Sequence, residues 1–156
     1  MKNIYFIVLV ILIALLGLGA LGGGGAMILD PSGDMIQMPN SMLEHTPFSD
    51  FLIPGIILAL VFGVIPLLLI RPLIKKSYSR ILEGLNVLTD MHWSWTFVIY
   101  LSLGLVIWIQ VQMQMIQEIF WLHDLYTYYA IFMVAMALMP GVRKRFKKAT
   151  KDINEE

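Results

Sequence analysis

The sequence contains no cysteine, so disulfides, thiolate metal centres, cysteine nucleophiles and lipidated cysteines are all excluded, and redox chemistry gives no reading of the compartment. Charge is scarce as well. Only 14% of the 156 residues are Asp, Glu, Lys or Arg, against 58% hydrophobic, and the mean hydropathy is +0.77. That balance excludes a water-soluble monomer. There is no serine elbow, Walker motif, H-E-x-x-H or H-x-x-x-H pattern. The four glycines at 22–25 lack the lysine and the strand-to-helix setting of a phosphate loop. No catalytic residue, metal or cofactor is expected, and no nucleic-acid partner.

What is present is four apolar runs, at about residues 4–29, 51–70, 94–116 and 119–140, with no Lys, Arg, Asp or Glu in their central parts. A helix rises about 1.5 Å per residue, so roughly 20 such residues cross the hydrocarbon core. Lipid offers unpaired backbone groups no partner, which makes the helix the required form. The first run is too long for a secretory signal core and has no A-x-A site, so a retained helix is expected.

Lys and Arg are missing from two of the connections, and this sets the orientation. Residues 30–50 and 117–124 hold Asp30, Asp34, Glu44, Asp50, Glu118 and Asp124 but no basic residue. All eleven basic residues lie elsewhere: Lys2 before the first run, Arg71, Lys75, Lys76 and Arg80 after the second, and six between 143 and 151 after the fourth. The positive-inside rule puts the basic side in the cytoplasm, giving four spans with both termini inside. Trp93 and Trp95 at one mouth, and Trp121, Tyr126, Tyr128 and Tyr129 at the other, read as headgroup-level anchors.

The outer loop 30–50 carries turn chemistry in Asp30-Pro31-Ser32-Gly33 and a capping-box pattern, Ser41-x-x-Glu44, so a short helix at 42–45 is expected, with the loop folded over the bundle. Ser49 or Asp50 caps the second span. On the basic side, Arg71-Pro72 is expected to end that span. Ile81, Leu82, Leu85, Leu88 and Met91 recur at helical spacing, which suggests an interfacial amphipathic helix or an extension of the third span. The domain is expected over 1–142, with 143–156 a charged tail that frays. Gly55, Ala59 and Gly63, with Gly19 and Gly23, form small-residue faces for close helix contact, within the chain or between copies.

Candidate site residues come from the polar end of the third run. At about 100° per residue, Gln110, Gln114 and Gln117 share a face, with Gln112 on the other side. Buried amides in a bilayer need partners, so that face is expected to turn inward, for interhelical hydrogen bonds or for a polar cavity. Glu118, His123 and His45 lie near the same end, with Asp124, Glu44 and Asp50. Their convergence would suit a divalent ion or proton transfer, although no ligand spacing supports it and a solvated acidic rim is the simpler reading. The eleven methionines read as core filler.

Residues 22–55, with Leu29-Asp30-Pro31-Ser32-Gly33, Pro47-Phe48 and residues 50–55, and residues 104–143, with Trp108, Gln110 and Trp121-Leu122, together resemble a widespread, uncharacterised family of small four-span bacterial membrane proteins. The resemblance implies fold and a bacterial plasma-membrane location, and no activity. The reading is an all-α, four-helix transmembrane bundle with an ordered outer loop. Its expected role is non-enzymatic, accessory or lipid- or small-ligand-binding, with membrane lipids, a second copy or another membrane protein as partners. A membrane redox or lipid-modifying enzyme and an oligomeric channel or transporter are the alternatives.

Overall fold

The structure, a computed structural model, describes residues 4–116 and 121–148. Six helices lie within them: α1 (Ile4–Leu29), α2 (Leu52–Lys75), α3 (Arg80–Gly84), α4 (Trp93–Ile116), α5 (Trp121–Leu138) and α6 (Pro140–Phe146). Among the described residues the sole strand-like pairing is an isolated bridge between Met91 and Lys147. Helices α1, α2 and α4 are each long and apolar enough to cross a membrane; α5 meets that standard only together with α6, from which it is bent by 66°. The bend has a local cause. Pro140 pushes Met139 into an extended conformation (φ −53°, ψ 133°), and the Met139 carbonyl then accepts the amides of Val142 and Arg143 to start α6.

Helix α2 outruns the expected 51–70 and corrects the reading that Arg71-Pro72 ends it. Pro72 lies in the last turn, so its missing N–H costs one bond, while the packing of buried Leu69 and Leu73 favours continuation. The helix stops at Lys76 (φ 50°), whose amide bonds the Pro72 carbonyl. Further back, Leu58–Val64 is wound as a π-helix. Pro66 follows two residues after its end, and the widened turn gives its ring room against the preceding carbonyls.

Close approach of α1 and α2 uses Gly55, Ala59 and Gly63 as expected, but the facing residues are Gly17 and Gly24, which corrects Gly19 and Gly23. A Cβ on Gly24 would sit 2.7 Å from both the Ala59 nitrogen and the Gly55 oxygen. One on Gly17 would meet Leu67 at 2.6 Å. Gly19 and Gly23 lie a fraction of a turn away and face elsewhere.

At the end that carries the basic residues the bundle is closed. Trp93 and Trp95 are buried in the core, not displayed as anchors. Their indole nitrogens donate to the carbonyls of Ser77 and Ala137, at 3.0 and 2.9 Å. Trp121 and Tyr128 at the opposite end are exposed, as anchoring requires. The chain after residue 140 does not fray over its described part. Val142 and Phe146, one helical turn apart, are buried; Phe146 packs on Phe6, and Arg145 lies 4.2 Å from the Phe6 ring centre. His92 N–H donates to Phe146 O, and Lys148 N–H to Asp90 O.

The expected amphipathic helix at 81–91 shrinks to α3, because Gly84 ends it and Asn86 folds the chain back. The Asn86 amide donates to the Glu83 carboxylate (3.0 Å) and the Met91 carbonyl (2.7 Å). Glu83 also accepts the Trp93 N–H and pairs with Lys148 at 3.0 Å, both side chains largely buried. Burial alone would raise the Glu83 carboxyl; the Asn86 amide, the Lys148 ammonium and the Trp93 N–H outweigh it and hold the group below its ordinary value. The stabilisation is therefore complete above the ordinary carboxylate range, about pH 4, and is lost as pH falls through the depressed value. Melting temperatures measured from pH 7 to 3 are expected to show Glu83→Gln well below the unsubstituted protein at pH 7, the gap narrowing as the medium is acidified.

Candidate functional site

The opposite end of the bundle is open. Helix α1 packs along α2, and α4 along α5, but α2 meets α4 mainly through residues 65–75, so the two pairs diverge toward the loop 30–51. A cavity of about 430 Å³ occupies the divergence, within the range of small-molecule sites. Its α1 wall is Leu16, Gly19, Ala20, Gly23 and Met27, low at its centre, where Gly19, Ala20 and Gly23 carry little or no side chain. Its opposite wall is Leu105, Trp108, Ile109, Gln112 and Ile116 from α4, with His123 and Tyr126 from α5. Leu58 and Phe62 close one side.

The loop forms the roof through Ile36, Gln37, Met38 and Met42. Its shape follows from its residues. The Ser32 hydroxyl donates to Asp30 at 2.6 Å and the Met35 amide at 2.8 Å, which together hold the exposed Asp30 carboxyl below its ordinary value. Gly33 takes φ +84°, where a Cβ would collide with the Met38 carbonyl and the Phe51 ring. Gln37 also has positive φ (56°), a conformation that costs a non-glycine residue about 1 kcal/mol. The ends are tied by Phe51 N–H to Pro31 O at 3.0 Å, and Asp50 accepts the Leu52 amide at the start of α2. The short helix is a 3₁₀ turn at Asn40–Leu43 with no side-chain cap, which corrects the capping box: Ser41 lies inside the turn, and Pro39 precedes it.

Of the expected site residues, His123 is buried and lines the cavity. Gln110 and Gln114 are exposed and do not line it, and His45 is exposed on the loop. Gln117 and Glu118 lie outside the described residues. The glutamine face is thus corrected: Gln112 turns in. The physical reason is length. Helix α4 has 24 residues, about 36 Å, against about 30 Å of hydrocarbon, so its last turns reach polar surroundings where outward amides are tolerated. A signal for Gln112 was present. Val98, Leu101, Leu105 and Ile109 form one buried face, and that face continues to Gln112 and Ile116. The roof residues, and the part played by Gly19 and Gly23, had no comparable signal.

The chemistry available is binding. The helical walls are apolar except for Gln112, His123 and the Tyr126 hydroxyl, all on the α4–α5 side, and the roof adds Gln37. The ring of Trp108 lies 6.2 Å from that of Phe62, and its indole N–H is buried with no acceptor among the described residues. Such an orphan donor costs about 1–3 kcal/mol. Tyr129, one turn below Tyr126, donates to the Leu12 carbonyl at 2.6 Å and fastens α5 to α1 beneath the cavity. Among the described residues no three His, Asp or Glu side chains come together to hold a metal ion. No protein-family model, curated protein or solved structure matches the chain.

Proposed function

We propose that the chain is a four-span protein of a bacterial plasma membrane, with both termini cytoplasmic, and that it binds a lipid or small apolar ligand in the cavity at its extracytoplasmic end, as a non-enzymatic accessory or binding protein. The observation that carries this is the cavity itself: a glycine-rich stretch of α1 faces a mostly apolar wall whose polar groups lie on α4 and α5, under a loop roof that adds Gln37. A ligand with an apolar body and one hydrogen-bonding group fits that division.

The membrane placement draws support from the outward faces of the helices, where Leu15, Leu18, Leu68 and Ile107 are exposed. Helix α5 has 18 residues, about 27 Å, nearly enough to cross on its own before the bend at Met139. The orientation rests on the basic residues gathered at one end, and the bacterial assignment on the resemblance of residues 22–55 and 104–143. The redox or lipid-modifying alternative needed Gln110, Gln114, Glu118, His123 and His45 around one pocket, and of these only His123 lines the cavity among the described residues. The channel alternative requires an oligomer, because below the cavity Leu9, Ile13 and Val98 are fully buried and leave no pore within one chain.

Native mass spectrometry of the protein released from gentle detergent tests the reading. The expected result is a population carrying one retained lipid-sized molecule per chain, together with the stoichiometry of any self-association. Protein that is bare when extracted from its own membranes, and that takes up no lipid on addition, would sink it.

A further inference from the structure

An exposed apolar surface lies on the segment between α2 and α4, away from the residues that line the cavity. Tyr78, Ile81, Leu85 and Val87 are exposed there, Ile81 and Val87 at 80% and 79%. The segment's one acidic side chain before Asp90, Glu83, is turned inward to Lys148. Tyr100 fixes where the segment sits. Its hydroxyl accepts the Val87 N–H at 3.0 Å and donates to the Leu85 carbonyl at 3.2 Å. The Tyr100 backbone is about 10 Å along α4 from Trp93 and its side chain leans back toward the helix start, so residues 85–87 are held beside the first turns of α4.

Two further observations say what covers this surface. Tyr100, Leu103 and Ile107 form one exposed stripe along α4, and exposed Leu85 and Val87 are bonded to the Tyr100 hydroxyl at the end of that stripe. The backbone of the segment is also hydrogen-bonded within the protein. Asn86 N–H bonds Glu83 O, Leu88 N–H bonds the Asn86 side chain, and Met91 N–H bonds Leu88 O. These backbone groups are therefore satisfied inside the protein, which is the condition irregular backbone must meet to enter lipid. At the headgroup level Lys75 and Arg80 are exposed.

We propose that residues 78–88 are an interfacial anchor, with Ile81, Leu85 and Val87 inserted among the acyl chains of the leaflet on the basic side, and with Lys75 and Arg80 meeting anionic headgroups. The inference rests on the reading that α4 crosses the membrane, and the test separates the two. Because the chain has no cysteine, a nitroxide can be placed singly through Val87→Cys, Ile107→Cys and His45→Cys. The full chain is reconstituted in phosphatidylcholine vesicles containing phosphatidylglycerol, and collisions of each label with oxygen, which partitions into lipid, are compared with those of a water-soluble nickel chelate.

Labels at Val87 and Ile107 are expected to meet oxygen several-fold more than nickel, and the label at His45 the reverse. If the Val87 label favours nickel while that at Ile107 favours oxygen, the segment lies in water and the inference fails with the spanning reading intact. If the Val87 label is immobilised and shielded from both, protein covers it and the inference fails in favour of a partner or a second copy. If the Ile107 label favours nickel, the spanning reading itself fails.

Discussion

Gly24→Val is expected to break the α1–α2 pair, while Gly22→Val and Gly25→Val leave it intact. All three residues stand in one unbroken helix, so propensity treats them alike, and each substitution gains only about 0.3 kcal/mol of it, Val being itself a weak helix former. Their surroundings differ. A Cβ at 22 or 25 meets nothing within 4 Å, but at 24 it meets the Ala59 nitrogen and Gly55 oxygen at 2.7 Å and the Ala59 Cβ at 2.9 Å. Those are backbone atoms and a Cβ, which cannot rotate away. Relief requires the two helices to separate, and separation exposes the contact that Gly55 makes with Met27 and Gly63 makes with Leu21. Overpacking usually costs about 1–3 kcal/mol, and a clash with backbone lies at or above the top of that range. A loss of about 3 kcal/mol corresponds to a fall of roughly 10 °C in melting temperature for a chain of this size. The check is the temperature at which half of each purified variant leaves the monodisperse peak in size-exclusion chromatography after heating. Equal values for Gly24→Val and Gly22→Val would show that the helices do not meet there.

That contrast also marks how far the sequence could be read. Helix existence was legible because composition decides it: α1 begins and ends where its apolar run does, and α4 begins within one residue of its own. Small residues at 55, 59 and 63 announced the contact face of α2. The matching face of α1 was ambiguous, since six glycines fall between 17 and 25 and spacing by four can be drawn through several of them. Only the partner helix distinguishes Gly17 and Gly24, which it presses, from Gly19 and Gly23, which it leaves beside a void. Proline was the second source of error. Pro72 follows Arg71 as a terminator would, yet it is carried inside the helix, whereas Pro140, with an extended Met139 before it, bends the chain by 66°.

The site was half legible for a related reason. His123 could be placed near the loop end by counting along its helix, and it is there. The glutamines misled because three on one face look like a purposeful stripe. In a helix longer than the hydrocarbon is thick, such a stripe near the end can face out at little cost, and the single Gln112, in register with Leu105 and Ile109, is the amide that turns in. Trp93 and Trp95 misled in the same manner: position along the chain gives depth in the membrane, but which side of the helix is lipid-facing depends on neighbours, here the carbonyls of Ser77 and Ala137.

Filling the cavity should separate binding from folding. Gly19 and Gly23 are the positions to use, because each faces the void. A Cβ on Gly19 comes no closer than 3.7 Å to the Tyr126 hydroxyl, and one on Gly23 no closer than 3.7 Å to Leu58, both ordinary contacts. Gly19→Phe therefore places a ring where a ligand would lie against the glycine-rich stretch of α1, without driving that helix from its partners. The expected outcome is a loss of bound lipid of at least about tenfold, equivalent to about 1.4 kcal/mol, with the melting temperature of the ligand-free protein held or raised. Gly22→Phe, at a position with open space around it, adds the same ring outside and should leave binding unchanged. Gln112→Leu keeps the shape of the opposite wall and removes its amide. If the ligand's polar group bonds that amide, affinity falls by about 1–3 kcal/mol while apolar capacity is kept. Loss with Gly19→Phe but not with Gln112→Leu would mean that the cavity selects for shape and apolar area alone. Full occupancy in Gly19→Phe, measured by native mass spectrometry, would place the ligand elsewhere and reduce the cavity to a gap between helices that happen to diverge.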